Sequence, residues 1–198
     1  MAIIGTLIEG KYEILKLIGK GGMSEVYLAM DKNLNKQWAV KEIKKRARDK
    51  NNEVVVQSAI AEANMMKKLD HPCLPRIVDI IDKGDVIYVV MDYIEGKALS
   101  DVLKEYGAQP QEYVIEWAKQ LCDVLGYLHS RVPPIIYRDM KPSNVMLKPD
   151  GNLTLIDFGT AREFKASKVE DTTCLGTRGY AAPEQFGGKA VSYTHLTL

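Results

Sequence analysis

Apolar residues alternate with polar ones through the early part of the chain and recur at helical spacing further on. Tyr12–Gly19, Ser24–Asp31 and Gln37–Ile43 are rich in Ile, Val and Tyr and are bounded by Gly or Asn. They predict three strands, the first two joined by a glycine-rich hairpin. Lys44–Asn52 is polar, basic and free of aromatics, and reads as a solvated connector. Glu53–Leu69 places Ile60, Ala63, Met66 and Leu69 on one face, and His71-Pro72 stops it, which predicts a helix. Arg76–Ile81 and Val86–Met91 flank Lys83-Gly84-Asp85 and predict a second hairpin. Asp92–Ala98 contains Gly96 and little apolar pattern, so it reads as a hinge. Pro110–Ser130 gives the strongest helical signal. Its stripe of Val114, Trp117, Ala118, Leu121, Leu125 and Leu128 is expected to be core. Asn144–Leu147 and Leu153–Ile156 predict a third hairpin over Pro149-Asp150-Gly151. Phe158–Glu184 is polar, rich in Thr and Gly, and reads as a mobile loop.

Composition narrows the function classes. The chain has 198 residues, of which 46% are hydrophobic and 27% charged, an ordinary globular balance. A net charge of +1 argues for neither a nucleic-acid nor an anionic-membrane partner. No apolar run is long enough to span a bilayer, and the N-terminus lacks the pattern of a signal peptide. Cys73, Cys122 and Cys174 are odd in number and show no CxxC spacing, which favours reduced thiols and a cytoplasmic setting. His71 and His129 have no metal-ligand spacing and read as structural.

The chemistry concentrates in Ile135–Gly159. The hairpin brings Asn144 back towards Asp157, and their hard oxygens suit Mg²⁺. Asp139 precedes the hairpin, within reach to accept a proton from an incoming hydroxyl. Lys141 supplies positive charge where a transferring phosphoryl group gathers negative charge. Together these four suggest metal-assisted phosphoryl transfer.

Tyr137-Arg138-Asp139-Met140-Lys141-Pro142-Ser143-Asn144, followed by Asp157-Phe158-Gly159, resembles the catalytic loop and metal-binding motif of eukaryotic-like protein kinases of bacterial type. Tyr137 stands where the family usually has His, and its ring can pack under Phe158. Further motifs follow the family's order. Gly19-Lys20-Gly21-Gly22-Met23-Ser24-Glu25-Val26 resembles the glycine-rich loop, with Ser24 in place of the third glycine. Ala39-Val40-Lys41 resembles the strand whose lysine pairs with a helix glutamate, here Glu62. Met91-Asp92-Tyr93-Ile94 resembles the hinge, and Thr177-Arg178-Gly179-Tyr180-Ala181-Ala182-Pro183-Glu184 the end of the activation segment.

The resemblance implies an α+β, two-lobed protein-kinase fold. Residues 1–91 would form an N-lobe of five antiparallel strands and one helix, residues 92–98 a hinge, and residues 99–190 an incomplete, mainly helical C-lobe. It implies a Ser/Thr protein kinase using ATP and Mg²⁺, with Asp139, Lys141 and Asn144 catalytic and Asn144 and Asp157 on the metal. Nucleotide contacts would come from Ile18, Gly19, Gly21, Gly22, Ser24, Val26, Ala39, Lys41, Glu62, Met91, Asp92, Ile94, Met146 and Asp157. Asp92 and Ile94 would meet adenine through backbone groups. Arg138 implies control by phosphorylation at Ser167, Thr172 or Thr173, and Thr177 with Lys141 points to Ser/Thr substrates. Implied partners are protein substrates and a second copy for phosphorylation between chains. Nucleic acid is not expected, and a membrane anchor is left open.

Two other classes stay open. A pseudokinase or nucleotide-binding regulatory module is favoured by Ser24, Tyr137 and the short C-terminal region, and opposed by intact Lys41, Glu62, Asp139, Asn144 and Asp157. A small-molecule kinase is opposed by the Thr177–Glu184 platform. Val191–Leu198 shows no helical period and lacks the Asp that the family uses to brace its catalytic loop. In one reading frame it spells a sequencing-library transposase adapter, so it is expected to be foreign and the fragment to be inactive.

Overall fold

The computed structural model describes residues 3–20, 24–45, 50–163, 177–181 and 185, with side chains in the 50–163 stretch from residue 56 onward. The chain divides into two compact units, residues 1–70 with 75–94 and residues 71–74 with 95–198.

The first unit is built on six antiparallel strands: β1 Leu7–Ile8, β2 Tyr12–Lys20, β3 Ser24–Asp31, β4 Lys36–Lys44, β5 Ile77–Asp82 and β6 Val86–Asp92. Their order in the sheet is β1-β2-β3-β4-β6-β5. The five expected strands are all present. The sixth, β1, is a two-residue edge strand paired to β2 through Leu7–Glu13 and Ile8–Tyr12, too short to show a period. Alternation along β4 separates two apolar clusters. Trp38 and Val40 join Tyr12, Ile14, Tyr27, Ala29 and Val90 on one side. Ile43 joins Ile87, Val89, Val56 and Ala63 on the other, where helix α1, Lys50–Met66, packs. Lys41 has the parity of Ile43 and so shares the helix side.

Helix α1 begins and ends earlier than expected. Its first turn, Lys50-Asn51-Asn52, carries no apolar residue, so a periodicity reading takes it for connector. At the other end Lys68 and Leu69 donate to Met65 and Met66 at 3.2 and 2.9 Å, bonds of i→i−3 type that tighten the last turn. Leu69 is buried all the same.

The second unit contains β7 Lys97–Ala98, α2 Leu99–Tyr106, α3 Gln111–His129, β8 Ile135–Ile136, a 3-10 turn at Pro142–Asn144, β9 Val145–Leu147, β10 Leu153–Leu155 and β11 Arg162–Glu163. The expected hairpin forms as β9 against β10, and β7 adds to its other edge. Its turn is held by Gly151 N–H on the Lys148 carbonyl (3.0 Å) and by Asn152 on the Asp150 carboxylate (2.9 Å). Gly96 is required beside β7. Its φ is +146°, and a Cβ there would lie 2.1 Å from the Leu147 carbonyl oxygen. Arg162–Glu163 pairs with β8, so the segment read as a loop contains a two-residue strand. Most of the rest of that segment, with the tail 191–198, lies outside the described residues. Helix α2 was not expected.

The apolar stripe of α3 is core only in its C-terminal half. Leu121, Val124, Leu125 and Leu128 are buried, whereas Val114 is 47% exposed beside exposed Tyr113 and Ile115, and Trp117 and Ala118 are half-buried. This corrects the expectation of a stripe buried throughout. Strands β8 and β10 lie against α3, and Gln120, mid-helix, already reaches the hairpin by accepting the Leu153 N–H at 2.8 Å. Leu128 is fully buried. Leu128→Ala is therefore expected to cost about 2–5 kcal/mol, and Val114→Ala less than about 1 kcal/mol, in chemical denaturation.

Candidate functional site

In the first unit the strand register assembles a row across three strands. Gly19 pairs with Val26, and Val26 with Lys41. Strand spacing puts Gly19 and Lys41 about 10 Å apart. Lys41 Nζ lies 3.1 Å from Glu62 Oε1 and 3.4 Å from Oε2. Both side chains are mostly buried, at 21% and 15% exposure, which makes the pairing obligatory for either charge. One strand step from Lys41, Ala39 pairs with Met91. Met91, Asp92 and Ile94 are half-buried, as are Ser24 and Val26, and Ile18 is exposed. Gly21 and Gly22 lie outside the described residues.

The second unit holds the carboxylate constellation. Asp139 accepts from three directions. Lys141 Nζ is 2.7 Å from Oδ2, Thr177 Oγ1 donates to Oδ1 at 2.8 Å, and Asn144 Nδ2 donates to Oδ2 at 3.1 Å and to the Asp139 carbonyl at 2.9 Å. Lys141 also donates to Thr177 Oγ1 at 2.8 Å, closing a triangle. Burial pushes the Asp139 carboxyl up, but Lys141, Thr177 and Asn144 outweigh it and hold it below the usual carboxylate range. A depressed carboxyl adds stability above its unfolded pKa and loses it as pH falls through its folded one. The stability gap between the unsubstituted chain and Lys141→Met is thus expected at neutral pH and to shrink below about pH 4, read from urea midpoints.

Backbone geometry delivers Asp139 to this position. Arg138 has φ +66°, unusual for a residue with a Cβ, and the Asp139 N–H bonds the Tyr137 carbonyl across it at 3.0 Å. Two side-chain contacts brace the strained residue: Arg138 Nε on the Thr160 carbonyl at 2.7 Å, and Gln185 Nε2 on the Arg138 carbonyl at 2.8 Å. Sequence reading missed Gln185, because a single amide so far along the chain carries no local signal.

Tyr137 keeps the aromatic role expected of it. Its ring meets that of Phe158 edge-on at 5.0 Å between centroids, and both are fully buried. Burial, with Asp157 nearby, drives its phenol upward, so it stays neutral.

Asn144 and Asp157 are brought near one another, since the Ile156 N–H bonds the Asn144 carbonyl at 3.0 Å. The Asn144 amide nitrogen is turned to Asp139, which leaves its oxygen as the end suited to a cation. Asp157 is exposed and accepts the Gly159 N–H at 3.0 Å on Oδ1. An amide oxygen and a carboxylate form a hard, sparse donor set that fits Mg²⁺ completed by phosphate and water. Met146 is half-buried on β9, opposite Thr154 and Ala98. Ser167, Thr172, Thr173 and Cys174 lie outside the described residues. Among the described residues, no helix is long and apolar enough to cross a membrane.

Comparison with known proteins identifies the family. Residues 12–196 match the protein kinase domain family. The chain is 36% identical over 192 residues to a protein of Clostridium perfringens named "Probable serine/threonine-protein kinase", covering 96% of this chain and 27% of that one. It is 33% identical over 187 residues to serine/threonine-protein kinase PrkC of Bacillus subtilis, covering 94% and 28%. The chain thus spans little more than a quarter of the length of these relatives. With a lysine–glutamate pair in one unit, a braced aspartate in the other and a family match over nearly its whole length, the chain belongs to the protein kinase domain family.

Proposed function

We propose that this chain carries the catalytic machinery of a Ser/Thr protein kinase that moves the γ-phosphoryl group of ATP to protein hydroxyls. The observation that carries the reading is the triangle of Asp139, Lys141 and Thr177, locked by Asn144. An ionised carboxylate with fixed orientation is what an incoming hydroxyl needs as proton acceptor. Lys141, beside it, is placed to offset charge on the group in transfer. The Thr177 hydroxyl ties the activation segment to this pair, which favours a Ser or Thr acceptor.

In the first unit, Lys41 held by Glu62 serves the nucleotide's α- and β-phosphates, with Gly19 near the end of β2 and Ser24 at the start of β3. Val26, Ala39 and Met91 give apolar surface for the base. Asn144 and Asp157 would hold Mg²⁺, which would neutralise charge on the phosphates. Asp157 also fixes the loop that follows it through Gly159 N–H. A chemistry that consumes ATP suits the cytoplasm.

Because the chain covers about a quarter of its relatives' length, activity is tested on the full-length gene product. Phosphoamino-acid analysis of a generic protein substrate is expected to give phosphoserine and phosphothreonine. Phosphotyrosine alone would overturn the substrate class. Phosphate on Thr172 or Thr173 is expected to pair with Arg138 and raise activity. Full activity in the Thr172→Ala, Thr173→Ala double variant would exclude that control.

A further inference from the structure

Asp92 closes strand β6, and the structure surrounds it with more cations than a strand end needs. Arg76 forms a fork with its carboxylate, Nε to Oδ2 at 2.9 Å and Nη2 to Oδ1 at 3.2 Å. The Arg76 backbone N–H bonds Oδ2 at 3.1 Å, and the Asp92 N–H bonds the Arg76 carbonyl at 3.0 Å. From β4, Lys36 Nζ stands 3.8 Å from Oδ1 and 4.0 Å over the Trp38 ring, and Trp38 pairs with Asp92 in the sheet. The last residue of a strand ordinarily frays. This one is tied through backbone and side chain to a residue sixteen positions earlier.

The arrangement has a chemical consequence for a ligand at this strand end. The Asp92 N–H is already donated to Arg76, so towards a base Asp92 can only accept. A backbone carbonyl matches the exocyclic amine of adenine and opposes the exocyclic carbonyl of guanine. That discrimination survives only if the carbonyl cannot turn away, and a bidentate guanidinium–carboxylate fork supplies the rigidity. We infer that Arg76 is a positioning residue that, by fixing Asp92, sets the preference of the site for ATP over GTP. The inference rests on the reading that the Asp92 backbone meets the base. Burial opposes ionisation of Asp92, but the bonds from Arg76 prevail and hold its carboxyl low, so the latch is charged at neutral pH.

The test is calorimetric titration of the full-length protein with Mg–ATP, Mg–GTP and Mg–tripolyphosphate. Arg76 is 63% exposed, so Arg76→Ala is expected to fold. It should lower the ATP-over-GTP affinity ratio by about tenfold and leave tripolyphosphate affinity unchanged. Arg76→Lys, which keeps charge but loses the fork, should fall between. Asp92→Ala should match Arg76→Ala, and the double variant should be no worse than either single one. A ratio within about twofold of the unsubstituted protein in Arg76→Ala would overturn the inference and leave the nucleotide reading standing. An equal loss for tripolyphosphate would also overturn it, because that marks general loosening. Failure of the unsubstituted protein to bind any of the three would overturn both.

Discussion

Asp139→Asn is expected to reduce phosphoryl transfer by about 10²–10⁴-fold while leaving ATP affinity within about twofold. The substitution keeps size and shape. It removes the charge that pairs with Lys141 at 2.7 Å and replaces an acceptor oxygen with an NH₂ that cannot take a proton. The Thr177 hydroxyl, which donates to Oδ1 at 2.8 Å, loses a charged acceptor, and the Asn144 amide loses another. All of these partners belong to the second unit. Asn144 is also assigned to the metal, but through its amide oxygen and not the nitrogen that Asp139 accepts, and the Lys41–Glu62 pair is untouched, so binding should persist. Single-turnover kinetics beside equilibrium ATP titration separates the two effects. A variant that retained more than about a tenth of normal turnover would remove Asp139 from its assigned role.

Lys41→Met carries the second large effect, and it should fall on both binding and rate. Methionine matches the length and apolar stem of lysine, so the strand row from Gly19 through Val26 should survive. Glu62, however, loses the ammonium 3.1 Å away and sits 85% buried without it. Removing that ammonium from beside a mostly buried carboxylate is costly. The phosphates lose their cation at the same time. ATP affinity is expected to drop by about tenfold or more and turnover by about 10²-fold or more. Glu62→Gln should show a smaller version of the same pattern, since it keeps the shape and one acceptor oxygen. If Lys41→Met bound and used ATP normally, the Gly19–Val26–Lys41 row would have no part in holding phosphates.

What could be read from the sequence depended on how local each signal is. Strands β2 to β6 and the β9–β10 hairpin follow from alternation and turn residues within a few positions. Helix α3 follows from its stripe. The two-residue strands β1, β7, β8 and β11 are shorter than any period, and only their partners define them. Helix α2 escaped notice because eight residues with two buried positions, Leu99 and Val102, barely establish a period. The exposed half of α3 was misread because periodicity reports that a stripe exists and not whether anything covers it. At the site, Asp139, Lys141 and Asn144 lie within six consecutive positions and suggested chemistry before any family was invoked. Lys41 with Glu62 was found because a lysine of inward parity demands a partner on the helix. Gln185 on Arg138 and Arg76 on Asp92 join residues far apart by ordinary polar side chains, and such pairs become visible only in three dimensions.

The most direct measurement of the central claim uses ATP labelled in turn at the γ- and α-phosphorus, with Mg²⁺ and a generic protein substrate. The full-length protein should place acid-stable label on serine and threonine from γ-labelled ATP and none from α-labelled ATP, and Asp139→Asn should abolish the transfer. Absence of γ-label, or γ-label that persists undiminished in Asp139→Asn, would contradict it.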